Sequence, residues 1–365
     1  MSVDNGYQIK ILMVTPSLQC GGSERYAAVF CNNIDTQKFA ITLAVVNNEK
    51  PFYTITNSAI TVIDLQEKRI RNSGLKLKKM IRSLQPDIIY SNANHLNLYL
   101  AIFKNRIVKN AILIARESSV VSSNSKRTKF PFLYNWLLKK YYHRIDHFVC
   151  QSQYMQQDLI DHYNITQQQT IVINNPAVEN GAMTTVPAQN KFLTVSRLSP
   201  EKGIDRLIRS VAQLTFPFTY HIIGDGEEKN ALRSLIEKMK LQHKVFLHGK
   251  KDDPFAGMED AALFLMGSYY EGFPNTLLEA GVLGIPAVAF SAPGGIKEII
   301  HDGENGFLVS QDDEHSFALA IEKTIKANFN RVQIKAGTLN KFPLHTVIKK
   351  TETLFIQLYQ QAVHQ

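Results

Sequence analysis

The sequence has 365 residues, of which 44% are apolar and 20% charged, and its formal net charge is +9. This length and composition are typical of a folded protein with two cores and exclude a disordered or fibrous chain. There is no run of about 18 apolar residues and the first ten residues are polar, so we expect neither a bilayer-spanning helix nor a signal peptide. Three cysteines, Cys20, Cys31 and Cys150, lack metal or redox spacing, which favours a reducing compartment.

The excess positive charge lies in the N-terminal half. Residues 1–180 contain 21 lysines and arginines against 12 acidic residues, whereas the remainder contains 20 of each. The excess is concentrated in Lys68–Arg82 and Lys126–Arg144. No nucleic-acid recognition motif or basic–aromatic repeat accompanies it. We therefore expect an anionic membrane surface or a phosphate-bearing acceptor as the partner, and no nucleic acid.

Apolar runs alternate with helical patterns through the first half. A buried strand is predicted at 9–15, followed by a glycine turn, Gly21 and Gly22, and by a helix at 23–33. Further strands are predicted at 40–46, 60–64, 87–91, 111–115, 147–150 and 171–173. Strands that alternate with helices predict a parallel, doubly wound sheet. The glycine turn lacks the Gly-x-Gly-x-x-Gly spacing of dinucleotide binding, which disfavours an NAD enzyme.

Two basic helical segments in this half carry different expectations. The segment 75–84 is amphipathic, and we expect one face to pack on the sheet with the charges in water. In the segment 130–142, aromatic and aliphatic side chains interleave with lysines and arginines. That pattern is typical of a helix at a membrane interface, and packing in the core is the alternative.

A second α/β half follows a segment without periodicity, residues 180–190, which we predict to be a linker. Strands are predicted at 192–196, 220–223, 245–247, 261–266 and 286–290, with a terminal helix at 346–363. We therefore predict an N-terminal domain at 1–179, a C-terminal domain at 191–345 and a terminal segment at 346–365.

A group of polar side chains follows the strand predicted at 261–266. The string Ser268-Tyr-Tyr-Glu-Gly-Phe-Pro-Asn-Thr-Leu-Leu-Glu-Ala280 places Glu271 on a strand-to-helix turn, where parallel sheets bind ligands, and Glu279 on the helix. The start of that helix offers three unpaired backbone amides, those of Asn275, Thr276 and Leu277. Such amides can bind a phosphate, and the carboxylates of Glu271 and Glu279 would then lie before and after it along the chain. The alternative is a surface turn with two solvated glutamates.

Two cations flank another predicted turn. The string Ser196-Arg-Leu-Ser-Pro-Glu-Lys-Gly203 places Arg197 and Lys202 after the strand at 192–196. Fixed cations and helix-start amides can offset the charge of a leaving diphosphate without a metal. The absence of an Asp-x-Asp motif near a strand end agrees with a metal-independent enzyme. Two solvated basic residues are the alternative.

Together these strings resemble the retaining glycosyltransferases of family 4, also called glycosyl transferases group 1. The match continues through Pro293-Gly-Gly-Ile-Lys-Glu298 and Asp302-Gly-Glu-Asn-Gly-Phe-Leu-Val309. It covers most of the chain and is specific from Lys191 to Val309. The resemblance implies the α/β GT-B fold, in which two Rossmann-like doubly wound domains face a central cleft. It implies that the N-terminal domain binds the acceptor and the C-terminal domain the nucleotide sugar, and that residues 346–365 form a helix that crosses back to the N-terminal domain. The branch that it indicates assembles O-antigen, capsule and other polysaccharides.

The resemblance also assigns donor-side roles. It implies that Arg197 and Lys202 contact the donor diphosphate, that Glu271 lies near the transferred sugar and that Glu279 accepts from the ribose hydroxyls. A carboxylate suits sugar hydroxyls or an oxocarbenium-like centre. Gly21 and Gly22, and likewise Gly224 and Gly226, match glycine turns of the family. His248 matches the strand end that meets the nucleotide base. For His248, a packed histidine is the alternative.

The acceptor side departs from the family pattern. Many relatives carry histidines after the fourth and fifth strands, whereas here these strands end in Tyr90-Ser-Asn-Ala-Asn-His95 and Ala115-Arg-Glu-Ser-Ser119. His95, Arg116 and Glu117 are therefore the acceptor-side candidates, with structural roles as the alternative.

The expected reaction is the retaining transfer of a hexose or N-acetylhexosamine from a nucleotide sugar to a glycan acceptor. The expected donor is a UDP-sugar, with a GDP-sugar as the alternative, and no cofactor or metal is expected. We expect a lipid-linked acceptor, and a cytoplasmic protein peripheral to the inner membrane. A GT-B sugar-nucleotide epimerase and a non-catalytic sugar-nucleotide-binding subunit are the alternative functions.

Overall fold

The computed structural model describes residues 7–108, 110–179, 183–184 and 186–364. It separates into two α/β units. The first unit comprises the chain up to Asn175 together with the segment from His345 onward, and the second comprises Pro176–Leu344. This division precedes the predicted linker at 180–190, part of which lies outside the described residues.

The first unit is built on a parallel sheet. Its strands are β1 (Ile9–Thr15), β2 (Phe39–Val45), β3 (Thr61–Asp64), β4 (Ile88–Ser91), β5 (Ile112–Arg116), β6 (His147–Cys150) and β7 (Thr170–Val172). In the described residues they form a seven-stranded sheet of order β3-β2-β1-β4-β5-β6-β7, and every pair is parallel. Because helices cover both faces of such a sheet, its central strands are mostly apolar, with exceptions such as the exposed Lys10 near the start of β1.

Helices connect these strands. They are α1 (Gly22–Asn33), α2 (Gly74–Leu84), α3 (Asn94–Ile107), α4 (Val121–Ser125), α5 (Pro131–Tyr141) and α6 (Gln153–Tyr163). In α2 the buried residues are Leu77 and Ile81, four residues apart on one face, while the lysines on either side remain at least partly exposed. This helix therefore packs through one apolar face, as its pattern predicted.

The second unit repeats the parallel architecture. Its strands are β8 (Lys191–Val195), β9 (Thr219–Ile223), β10 (Val245–Gly249), β11 (Leu263–Met266), β12 (Ala287–Phe290) and β13 (Gly306–Val309). Its helices are α7 (Ile204–Val211), α8 (Lys229–Lys238), α9 (Asn275–Val282), α10 (Ile296–Ile299), α11 (Glu314–Lys326) and α12 (Arg331–Lys341). The described strands have the order β10-β9-β8-β11-β12-β13.

The predicted fold class, two doubly wound parallel sheets, is confirmed. Strand β13 was missed because its four residues, Gly-Phe-Leu-Val, follow a turn and offer little periodicity. In both sheets the chain winds to one side and then returns to the other side of its first strand. The first strand of each sheet therefore lies at the point where the order of the strands reverses. The neighbours of β1 are β2 and β4, and those of β8 are β9 and β11. Parallel sheets bind ligands at the carboxyl ends of such strands.

The last helix, α13 (Leu344–Val363), packs within the first unit. The side chain of Phe355 is fully buried, and its ring contacts those of Phe30, Phe39 and Tyr90, with centroids 5.1–6.1 Å apart. Residues from the far end of the sequence therefore complete a core that the first strands begin.

Candidate functional site

The turn after β8 has a conformation that requires glycine. Pro200–Lys202 form one turn of 3-10 helix, which ends at Gly203 with φ +55° before α7 begins. A Cβ on Gly203 would lie 2.2 Å from the carbonyl oxygen of Gly267, in the turn after β11. Glycine thus permits both the left-handed backbone and the close approach of the two turns.

Lys202 and Glu271 meet where these two turns approach. The ammonium of Lys202 donates to Oε1 of Glu271 at 2.6 Å, and the hydroxyl of Ser268 donates to the same oxygen at 2.6 Å. Only 19% and 12% of the Lys202 and Glu271 side chains are exposed. An ammonium carries three N–H donors, so Lys202 can hold Glu271 and contact an anionic ligand at once. This pair is the centre of the candidate site.

Arg197 lies on the same turn in a more open environment. Its side chain is 72% exposed, and Nη2 donates to Oε1 of Glu201 at 2.8 Å. Burial acts to raise the pKa of Glu201, but hydrogen bonds from Ser199 and from the backbone, with the charges of Arg197 and Lys202, lower it overall. The two predicted cations therefore share one turn, and each is paired with its own carboxylate.

A buried arginine supports the turn that carries Glu271. Arg206 is 1% exposed, and its guanidinium donates to the carbonyl oxygens of Gly267 at 2.6 Å and Ser268 at 2.7 Å. Its Cζ lies 4.0 Å from the ring centre of Tyr269 and 3.9 Å from that of Phe290. Arg206 was not among the site residues predicted from the sequence. The position of Arg206 among the apolar residues of the helix after Gly203 could have indicated that it is buried.

The glycine pair at 294–295 holds the other side of the Glu271 turn. The backbone N–H of Glu271 donates to the carbonyl of Pro293 at 2.9 Å, and that of Gly295 donates to Gly272 at 2.8 Å. Gly294 has φ +117°, and a Cβ there would lie 1.5 Å from the carbonyl oxygen of Glu271. The Pro-Gly-Gly string is thus a structural partner of the turn.

Helix α9 begins directly after the Glu271 turn. Its N-cap is Pro274 in an extended conformation, and no side chain caps it. One expectation is corrected here, because the backbone N–H of Leu277 donates to the carbonyl of Pro274 at 3.2 Å. Asn275 and Thr276, both half-buried, remain the candidate donors for an anion. Glu279 is half-buried in the second turn of the helix.

The predicted glycine turn after β9 packs on the turn after β8. The backbone N–H of Leu198 donates to the carbonyl of Asp225 at 3.0 Å. A Cβ on Gly224 or on Gly226 would come within 2.2 Å of the carbonyl oxygen of Ser196 or Leu198, respectively. Gly224 and Gly226 therefore belong to the same group of turns as Arg197.

His248, at the end of β10, is paired with another histidine. Its Nε2 lies 2.9 Å from Nδ1 of His221, and the two rings stack with centroids 5.1 Å apart. Burial is the main cause, and the nearby His248 the second, that lowers the pKa of His221 to about 4. Burial, together with the charges of Lys251 and Lys191, also lowers the pKa of His248. His221 is half-buried, whereas His248, the residue for which packing was the alternative, is exposed and can be reached from solvent.

In the first unit, the predicted glycine turn lies at the corresponding switch point. Gly21 is the N-cap of α1, which begins at Gly22 after β1. Nδ2 of Asn92, which follows β4, donates to the carbonyl of Ser23 at 2.8 Å. The two turns that flank this switch point are thereby joined.

Two of the acceptor-side candidates are fully buried. Nη2 of Arg116 donates to Oδ1 of Asn175, and its Cζ lies 3.6 Å from the ring centre of Tyr26. Glu117 accepts from Nδ2 of Asn97 at 3.0 Å, and burial raises its pKa to about 7. Both side chains are 0% exposed, which favours the structural alternative for them.

His95, the third acceptor-side candidate, is exposed in the first turn of α3. It is therefore the member of this group that solvent, and hence a ligand, can reach. In the described part of the chain, no group of three or more His, Cys, Asp or Glu side chains could hold a metal ion.

Two family models match the chain. The model of glycosyl transferases group 1 matches residues 183–339, and the model of Glycosyltransferase Family 4 matches residues 20–177. The two matches fall on the second and the first unit, respectively.

Two of the curated relatives illustrate the similarity, and both are glycosyltransferases by name. One is the N-acetylgalactosamine-N,N'-diacetylbacillosaminyl-diphospho-undecaprenol 4-alpha-N-acetylgalactosaminyltransferase of Campylobacter jejuni, which is 28% identical over 89% of this chain and 94% of the relative. Another is a lipopolysaccharide core biosynthesis glycosyltransferase of Rhizobium meliloti, 31% identical over 43% of this chain and 46% of the relative.

Solved structures share the fold across nearly the whole chain. The lipopolysaccharide outer core galactosyltransferase WaaB, in its apo form, superposes with a TM-score of 0.76 at 18% identity, covering 95% of this chain and 99% of that one. HepE of Anabaena in complex with UDP-glucose gives a TM-score of 0.76 at 22% identity, covering 94% and 99%. At these identities the likeness establishes the architecture alone.

Proposed function

Because the chain belongs to the glycosyltransferases of the GT-B fold, with matches to group 1 and family 4 over its two units, we propose that its second unit binds a nucleotide-sugar donor and that the enzyme transfers the sugar to a glycan acceptor. The names of the curated relatives favour transfer over the epimerase and binding-subunit alternatives.

The observation that carries this proposal is the Lys202–Glu271 pair at the switch point of the second sheet. In the proposed complex, the Lys202 ammonium and the amides at the start of α9 contact the diphosphate. Glu271, held by Lys202 and Ser268, accepts from hydroxyls of the transferred sugar. A cation fixed before the reaction stabilises the leaving phosphate without reorganisation in the transition state.

We propose retention at the anomeric carbon and no requirement for a metal. In this mechanism the bond from the anomeric carbon to the diphosphate oxygen breaks, and the acceptor oxygen bonds on the same face. The acceptor proton passes to the departing phosphate oxygen, so no protein base is needed. Lys202 and Arg197 supply the positive charge that a metal supplies in other enzymes.

The donor nucleotide is proposed to be UDP. HepE, a structural neighbour, was solved with UDP-glucose, and the Campylobacter relative is named for N-acetylgalactosaminyl transfer. These names support a hexose or an N-acetylhexosamine as the transferred sugar, and a GDP-sugar is the alternative donor.

The acceptor is proposed to be lipid-linked. The name of the Campylobacter relative includes a diphospho-undecaprenol acceptor, and the excess positive charge of this chain lies in residues 1–180. No helix in the described residues is both long and apolar enough to cross a bilayer. From the basic charge of the first half and the lipid-linked acceptor we propose that the enzyme acts peripherally, at the cytoplasmic face of the membrane that carries its acceptor.

Thermal unfolding in the presence of UDP-, GDP- and ADP-sugars tests the donor half of the proposal. A ligand that binds only the folded state raises the melting temperature, so we expect a rise with UDP-sugars. Lys202→Ala should remove the rise, whereas Lys326→Ala, which changes a 79%-exposed lysine on α11, should retain it. An equal rise in the wild type and the Lys202→Ala variant would contradict the site.

Turnover with a diphospho-polyprenol acceptor tests the other half. We expect Lys202→Ala and Glu279→Ala each to abolish transfer in a protein that still folds, although the loss of Lys202 also lowers the stability of the second unit. Transfer that persists in both variants would overturn the site assignment. Product analysis by NMR gives the anomeric configuration and tests retention.

A further inference from the structure

One side of α5 exposes a group of apolar and basic side chains. This outer face consists of Lys129, Phe132, Leu133, Trp136, Lys139 and Lys140. Phe132 is 94% exposed, Leu133 55% and Trp136 52%, and the three lysines are exposed as well. At 100° per residue Phe132, Leu133, Trp136, Lys139 and Lys140 fall on one side of the helix, and Lys129 lies just before its first turn. A cluster of large apolar groups in water is unusual for a protein surface and marks an interaction site.

The opposite side of α5 already supplies the contacts that the fold needs. Leu138 on the helix and Tyr142, which caps its end, are fully buried. The ring of Tyr142 contacts those of Phe148 and Tyr163, with centroids 5.5 and 6.0 Å apart. The helix is therefore attached to the unit through this inner side, and the outer face is not required for that packing.

The electrostatic setting of the outer face selects an anionic partner. Residues 118–145 contain six lysines and arginines and no aspartate or glutamate. Nζ of Lys140 lies 4.5 Å from the ring centre of Trp136, and Nζ of Lys129 lies 5.8 Å from that of Phe130, which is itself 64% exposed. Lysine stems lie along apolar surface while their ammonium groups reach toward charge, as they do at a bilayer interface.

We propose that the outer face of α5 inserts its apolar side chains into the interface of an anionic lipid bilayer while its lysines contact the lipid phosphates. A nucleic-acid surface would leave Phe132 and Leu133 in water, and it therefore fits the face less well. The inference deepens the proposed function and rests on it, since it names the element that holds the first unit beside a lipid-linked acceptor.

The sequence contains an intrinsic reporter for this test. Trp136 is the single tryptophan of the chain, and it lies on the outer face. Its emission can be followed while vesicles of phosphatidylcholine, or of phosphatidylcholine with phosphatidylglycerol, are added to the full-length protein. We expect a blue shift and quenching by brominated lipids with the anionic vesicles, little change with the neutral ones, and weaker binding at high salt.

Two double variants separate the apolar and the electrostatic contributions. Phe132→Ser with Leu133→Ser, and Lys139→Glu with Lys140→Glu, should each weaken binding to anionic vesicles by roughly tenfold or more. Lys349→Glu with Lys350→Glu, exposed positions on α13, makes the same charge change elsewhere on the unit and should weaken binding much less. All of these positions are exposed, so thermal unfolding should differ little from that of the wild type.

The outcomes distinguish this inference from the proposed function. Donor binding by the second unit, measured by thermal shift, needs no vesicle, so it tests the proposed function alone. The inference is overturned if Trp136 emission does not respond to anionic vesicles, or if the outer-face and α13 variants lose binding equally. A Trp136 environment that changes with protein concentration, in the absence of lipid, would indicate self-association through this face and would also overturn it.

Discussion

Arg206 donates to the carbonyl oxygen of Ser268 at 2.7 Å, and the hydroxyl of Ser268 donates to Glu271 at 2.6 Å. A guanidinium that is 1% exposed thus acts on the candidate site through one intermediate residue. Arg331 provides an internal comparison, because it is 5% exposed and donates to the carbonyl of Ala261, which precedes the same strand, β11. The two arginines bind opposite ends of one strand, and only Arg206 contacts the turn with Glu271.

The first prediction follows from this difference. Arg206→Lys should lower kcat roughly tenfold to a hundredfold with a smaller change in KM, because small displacements of reacting groups are costly. Arg331→Lys should cost a similar amount of stability, about 1–3 kcal/mol, while kcat stays within severalfold of the wild-type value. Steady-state kinetics and urea unfolding of both variants provide the test. Equal losses of kcat in the two would show that Arg206 has no positioning role.

The second prediction concerns the Lys202–Glu271 pair. Both side chains are largely shielded from water, so removing one leaves a poorly solvated charge on the other. Lys202→Met and Glu271→Gln should each destabilise the second unit, and the double variant should be less destabilised than the sum of the two. We expect a coupling free energy of about 1–2 kcal/mol from a double-mutant cycle in urea. Simple additivity would contradict the ion pair.

The third prediction concerns the pH dependence that Glu117 imposes. Because burial raises its pKa from 4.5 to about 7, the folded state holds this proton more tightly than the unfolded chain does. The contribution of this proton to the free energy of unfolding is fully present below pH 4.5 and is lost as the pH rises through 7. The loss amounts to at most about 3 kcal/mol.

Glu117→Gln should remove this slope, since an amide does not titrate. The free energy of unfolding of the variant, relative to the wild type, should therefore increase between about pH 5 and about pH 8. Urea titrations at both pH values provide the measurement. A relative stability that stays constant, or falls, would contradict the raised pKa.

The fourth prediction compares two glycines of the second unit. Gly294→Ala should destabilise by about 3 kcal/mol or more, because the new Cβ would meet the carbonyl oxygen of Glu271 and the backbone is left-handed there. Gly337 lies inside α12, where an added Cβ would have no neighbouring atom within 4 Å, so Gly337→Ala should stabilise by about 0.5–1 kcal/mol. Thermal unfolding gives both values, and loss of stability in both would contradict the assigned geometry.

The strands and the switch-point turns could be predicted from local patterns. A parallel strand buried on both faces is a short apolar run, and the strings around Lys202 and Glu271 follow such runs directly. Arg206 could not be predicted in this way, because its partners are carbonyl groups 61 and 62 residues further along the chain that carry no sequence signal. The burial of Arg116 and Glu117 was equally hidden, since charged residues at strand ends are usually exposed. The paired amide of Leu277 depends on the backbone path at Pro274.

The two units also differ in when they can finish folding during synthesis. The second unit is one continuous segment, Pro176–Leu344, whereas the first needs residues from His345 onward. A ribosome releases the opening strands first, yet the core around Phe30 and Tyr90 lacks the Phe355 ring until the whole second unit has been synthesised. We therefore expect the nascent first unit to remain incompletely folded while the second unit folds. Its exposed apolar core should then make the first unit the one that depends more on chaperones.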